Sequence, residues 1–98
     1  MPKEPGNELV VKLTAALKTA MKAKDRETAA ALRLVLAALQ NLRIAKRAEL
    51  TDEEVTAALQ KETKKRVEAK AIYEKAGRAE LAEKEAFELK IIKDFLPE

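Results

Sequence analysis

Residues 51–77 read TDEEVTAALQKETKKRVEAKAIYEKAG, and their ends decide the fold. Thr51 followed three residues later by Glu54 is a capping box, in which the hydroxyl accepts the amide at the third helical position and the carboxylate reaches back. Asp52 and Glu53 add negative charge at the positive end of the helix dipole. Gly77 is the residue type that adopts the left-handed conformation closing a helix. Nothing between them breaks a helix, so the spacing predicts one helix over 52–75. Outward from this stretch, residues 7–96 contain no proline and only this glycine, with Ala, Leu, Glu and Lys dominant. Such composition favours helix throughout, and an all-α fold follows.

Three more helices are predicted. Asn7 can cap a helix over about 8–24 with a stripe of Leu9, Leu13, Ala16, Leu17 and Ala20. Asp25 can cap the next, over 26–47, which shows Leu32, Val35, Leu36 and Leu39 on one face and Ala30, Leu34, Ala37 and Ala38 on another. Apolar nearly all round, it is expected in the middle of the fold. After Gly77, a helix over 78–95 carries Leu81, Glu85, Leu89, Ile92 and Leu96 in one row and Phe87, Ile91 and Phe95 in another. Pro2, Pro5 and Gly6 make 1–6 a disordered lead-in, and Leu96-Pro97 disfavours continuation. The expectation is a single four-helix domain over 7–98.

The 98 residues contain no Cys, His or Ser. Disulfides, thiolate metal sites, Ser/His triads and Cys/His pairs are thereby excluded from this chain alone. Glu80, Glu83, Glu85 and Glu88 invite a carboxylate-metal reading. Without His the Glu-x-x-His partner of di-iron bundles is missing, and Lys84 and Lys90 interleave as one-turn ion-pair partners. No metal or cofactor is expected, and as helix-surface acids these glutamates should stay near their ordinary pKa. The apolar run Thr28 to Leu42 is broken by Arg33 and is too short to span a bilayer, and the N-terminus lacks a signal peptide's apolar stretch, so the chain reads as cytoplasmic with no membrane partner.

Charge is unevenly spread behind a net of +3. Residues 1–50 hold ten basic and five acidic side chains, whereas 51–98 hold ten and twelve. Within the quoted stretch, the seven residues from Gln60 to Arg66 are all non-apolar, so about two turns offer a core nothing. Two readings stay open: a solvated projecting helix steadied by a Glu62–Arg66 pair, or a surface for an anionic partner. Lys61, Lys64, Lys65 and Arg66, with Arg43 and Arg47 at the end of the second helix, are the candidate phosphate contacts. The aromatic residues are spaced as packing residues.

The runs Glu62-Thr-Lys-Lys-Arg66, Tyr73-Glu-Lys-Ala-Gly-Arg-Ala-Glu-Leu81, Glu83-Lys-Glu85 and Ile91-Ile-Lys-Asp-Phe-Leu-Pro97 resemble the GatB/YqeY family. Met21-Lys-Ala-Lys-Asp25 and Leu32-Arg-Leu-Val35 resemble the start of YqeY-like proteins. The resemblance covers nearly the whole chain from about Leu9. It implies a helical domain similar to the C-terminal region of GatB, a subunit of the amidotransferase acting on mischarged Glu-tRNA(Gln) or Asp-tRNA(Asn). There the helical tail is associated with tRNA while another subunit does the chemistry. It therefore implies no catalytic residue, a carbon-nitrogen ligase label by similarity only, and tRNA or an amidotransferase subunit as partner. It adds Arg78, beside the glycine turn, to the binding candidates. Family members usually continue into a second small helical domain, which is expected to be absent here. The alternative expectation is a protein-interaction module or homo-oligomer using an exposed Phe87, Ile91, Phe95 row.

Overall fold

The computed structural model describes residues 7–96. The expected lead-in at 1–6, the stop at Pro97 and the side chain of Asn7 lie outside the described residues. Four helices follow in order: α1 Asn7–Lys22, α2 Arg26–Lys46, α3 Asp52–Lys75 and α4 Ala79–Lys93, with no strand among the described residues. The fold is all-α, as the sequence predicts, and the bounds of α3 are those expected.

The helices form two antiparallel hairpins, α1–α2 and α3–α4, that pack on each other through α2 and α4, α1 and α3, and α2 and α3. Leu13 of α1, Leu32, Val35 and Leu39 of α2, Leu50, Val55 and Leu59 around the start of α3, and Ile92 of α4 make one core. Ala58 completes it, with Leu9, Ala16, Leu17 and Leu36 packed at its edge. The predicted α1 stripe and the first face of α2 are thus the core-forming surfaces.

The second face of α2 is not buried. Ala30, Leu34 and Ala37 are exposed, and Leu42 and Ile44 join them further along. The expectation of a wholly surrounded helix is corrected, because two hairpins of four helices cover only one side of α2. That helix also runs 21 residues, so by length and composition it could cross a membrane. Its inward side, Ala29, Ala31, Leu32, Val35 and Leu39, is instead committed to the protein core.

Three helices end on a residue with left-handed backbone. At Gly77, φ is +72°, Arg78 N–H donates to Tyr73 O at 2.8 Å and Gly77 N–H to Glu74 O at 3.1 Å. This paired 6→1 and 5→2 pattern is the Schellman closure. After α1 the same pair recurs, Asp25 N–H to Ala20 O at 2.9 Å and Lys24 N–H to Met21 O at 3.1 Å, with Lys24 at φ +59°. Arg47, at φ +62°, ends α2 by donating its N–H to Arg43 O and Ile44 O. The αα turns are therefore set by chain reversal under packing, with glycine at only one of the three.

Candidate functional site

The polar middle of α3 is built into the structure on one side and left open on the other. Val55, Leu59, Glu62, Arg66, Ala69 and Tyr73 follow one another at three- and four-residue steps, so Glu62 and Arg66 occupy the inward stripe. No α3 residue beyond Leu59 is fully buried. Beyond Leu59 the turns lacking apolar side chains meet α4 through charge.

Arg66 is the centre of that contact. Its Nη2 donates to Glu62 Oε1 at 2.9 Å within α3, and its Nη1 donates to Glu85 Oε1 at 3.3 Å on α4. Glu88 Oε1 lies 3.8 Å from the same Nη1, and Lys65 Nζ sits 3.5 Å from Glu62 on the outer edge. Burial works against the charged guanidinium, but the hydrogen bonds to Glu62 and Glu85 and their negative charges more than offset it, holding Arg66 above its ordinary pKa. Glu88 is pushed up, first by burial and then by neighbouring Glu85, against the pull of Arg66 and Lys84. Three carboxylates thus share one guanidinium in the α3–α4 seam.

Arg66, one of the expected phosphate contacts, is engaged in the seam by Glu62, Glu85 and Glu88. One expectation is corrected: Glu85 and Glu88 are buried, not helix-surface acids, and burial holds Glu88 above its ordinary pKa. The Glu85 position in the predicted apolar row of α4 was the signal available in the sequence, since a carboxylate at a core register needs a cation opposite. Among the described residues no group of acids is arranged to hold a metal ion.

On the opposite side of α3, Lys61, Lys64 and Lys65 are exposed. Lys61 and Lys64 form no ion pair with the described residues, and Lys65 has only the 3.5 Å contact to Glu62. Lys61 shares a groove between the end of α2 and the start of α3 with Lys46, whose ammonium pairs with Glu54 and donates to Glu49 O at 3.0 Å. Arg43 is held by Glu49 at 3.3 Å and lines a different groove beside α1. Arg47 is exposed and pairs with no described acid. Arg78 lies about 20 Å beyond Lys64 at 1.5 Å per residue, outside any common patch.

The Phe87, Ile91, Phe95 row is not an open apolar strip. All three are half-buried, and Ile91 and Phe95 pack against the core because α4 rolls this row toward α2. The large apolar groups left in solvent stand mainly elsewhere, on α2 and at Val11, Met21, Val67 and Ile72.

Fold and site together define a small all-α domain of two hairpins, tied by a buried ion cluster and carrying a lysine row on its outer side. A family model for Yqey-like proteins matches residues 10–98, and the chain belongs to that family. It is also 33% identical over 78 residues to an uncharacterized protein of Schizosaccharomyces pombe, covering 80% of this chain and 63% of that relative. The chain therefore spans less than two thirds of the length of that protein.

Proposed function

We propose that this chain is a non-catalytic helical module that associates with tRNA in the cytoplasm and serves as an accessory to tRNA-dependent amide transfer. The observation that supports it is the row Lys61, Lys64 and Lys65, three exposed lysines within five residues of α3. The likeness to the GatB tail makes tRNA the anion of choice, and the absence of Cys, His and Ser suits a part that binds while another subunit reacts.

Binding of this kind is electrostatic. Three or four neutralised phosphates give a log K against log salt slope of about −3. Anisotropy of labelled tRNA across a salt series tests it. Lys61→Glu, Lys64→Glu and Lys65→Glu combined should weaken binding at least tenfold, and Arg43→Gln should change it little. No binding at low salt, or an unchanged affinity in the triple variant, would overturn the reading.

A second reading, a homo-oligomeric module, is favoured by Leu34 at 49% and Ile44 at 61% exposure on the outward side of α2. A second copy is the occupant it requires. Sedimentation decides it: a monomer at high concentration, indistinguishable from Leu34→Lys, removes it.

A further inference from the structure

The groove between the first half of α2 and the first half of α4 is distinct from the lysine face. Ala30 of α2 and Phe87 of α4 supply its apolar walls, and Glu88 lies at its base. Its volume is about 560 Å³, within the range of small-ligand sites.

Glu88 is 5% exposed, yet it accepts no hydrogen bond from the described residues. Arg66 spends its hydrogen bonds on Glu62 and Glu85 and stands 3.8 Å away. Among the described residues no side-chain oxygen is sealed off without a partner. The carboxylate of Glu88 therefore keeps its contact with solvent, and the groove is the opening it lines.

The charges around it are unbalanced. Glu27, Glu80 and Glu83 line the rim with Arg26 and Lys84; neither cation forms an ion pair with a described residue, and Lys84 acts on Glu88 only through its field. Behind Glu88 stand two more carboxylates and one guanidinium. A buried acid in surplus negative charge, beside an aromatic face, suits a cation on an aliphatic stem. The head replaces the missing hydrogen-bond donor and the stem covers Phe87 and Ala30.

We propose that this groove binds a primary alkylammonium group, either a free aliphatic amine or the lysine side chain of a partner, with its head on Glu88. The test is an amide-shift titration of the full chain at neutral pH with n-butylammonium chloride, and in parallel with 1-butanol. Saturable shifts at Ala30, Phe87 and Glu88 with the amine but not the alcohol are expected, weakened at least tenfold in Glu88→Gln. Absence of shifts, equal shifts with the alcohol, or unchanged affinity in Glu88→Gln would overturn it. Because Glu88 also faces Arg66, a Glu88→Gln variant with collapsed amide dispersion is replaced by Phe87→Ala. That variant should bind severalfold more weakly, and unchanged binding overturns the proposal. An acetyl-Gly-Lys-Gly-amide arm separates the sources: tighter binding than butylammonium assigns a partner's lysine, and equal or weaker binding a free amine.

Discussion

Arg66 Nη1 reaches Glu85 Oε1 at 3.3 Å, joining residues 19 apart in sequence across the α3–α4 seam. Arg66 and Glu85 are both largely buried, with side-chain exposures of 22% and 11%. Arg66→Met leaves Glu62, Glu85 and Glu88 facing one another without a cation. Removing one partner of a buried pair costs 3–5 kcal/mol, and the remaining exposure of Arg66 reduces that to about 2–3. At this size the melting temperature should fall by roughly 10 °C or more. Circular-dichroism melts check it. The deficit should shrink at acid pH, where the carboxylates take up protons, and a variant that melts like the parent at neutral pH contradicts the account.

Glu88 predicts the opposite sign. Its pKa is raised in the fold, so the folded state holds a proton that the unfolded state has already lost. Stability then falls with rising pH, from the ordinary glutamate value near 4.5 up through the raised one, and the deficit is complete above it. Burial sets this shift first and Glu85 adds to it, against the pull of Arg66 and then Lys84. Glu88→Gln removes the buried charge and should be neutral or stabilising at neutral pH, with a flatter stability profile above about pH 4.5. Urea unfolding across pH measures it, and a clear loss of stability at neutral pH would show that the 3.8 Å contact to Arg66 outweighs desolvation.

The left-handed helix ends give a matched pair. At Gly77 a Cβ meets nothing within 4 Å, so Gly77→Ala pays only for backbone strain at φ +72°, about 1 kcal/mol. At Lys24 the strain is already present, and Lys24→Gly relieves it within the same closure, offset by the greater freedom glycine gives the unfolded chain. A gain of up to about 1 kcal/mol is expected in denaturant unfolding. A loss at Lys24→Gly comparable with that at Gly77→Ala would mean the lysine stem contributes more than its backbone costs.

These ends also show what a reader of the sequence can see. The start of α3 was legible because Thr51, Glu54 and the acids between them act locally, and its end because Gly77 advertises a left-handed residue. The same geometry at Lys24 and Arg47 was silent, since tertiary packing imposed it on residues with no preference for it. The core stripes of α1 and α2 could be read from spacing. The outward lysines could be read as charge, but the inward turn of Arg66 could not. Its place on the stripe of Val55, Leu59 and Tyr73 and its pairing with Glu62 were visible, yet only α4 laid alongside shows the two further carboxylates, Glu85 and Glu88. Likewise, a helix with two apolar faces does not say how many neighbours the fold supplies.

The capping box makes the last prediction. Thr51 Oγ1 accepts from Glu54 N–H at 3.1 Å, and Thr51 N–H donates to Glu54 Oε1 at 2.8 Å. Lys46 also pairs with that carboxylate, so the end of α2 is tied to the start of α3. The hydrogen bond from Lys46, then that from the Thr51 amide, hold Glu54 below its ordinary value. A lowered carboxylate contributes stability that is fully present above its ordinary pKa and lost as pH falls through the lowered one. Thr51→Ala should cost about 1 kcal/mol at any pH where the helix forms. Glu54→Gln should destabilise at neutral pH and converge on the parent in acid, below the lowered value. Both variants compared by urea unfolding at neutral and acid pH separate the two halves of the box: a pH-independent loss for Glu54→Gln would show that the side chain acts as a polar cap and that its charge, shared with Lys46, contributes nothing.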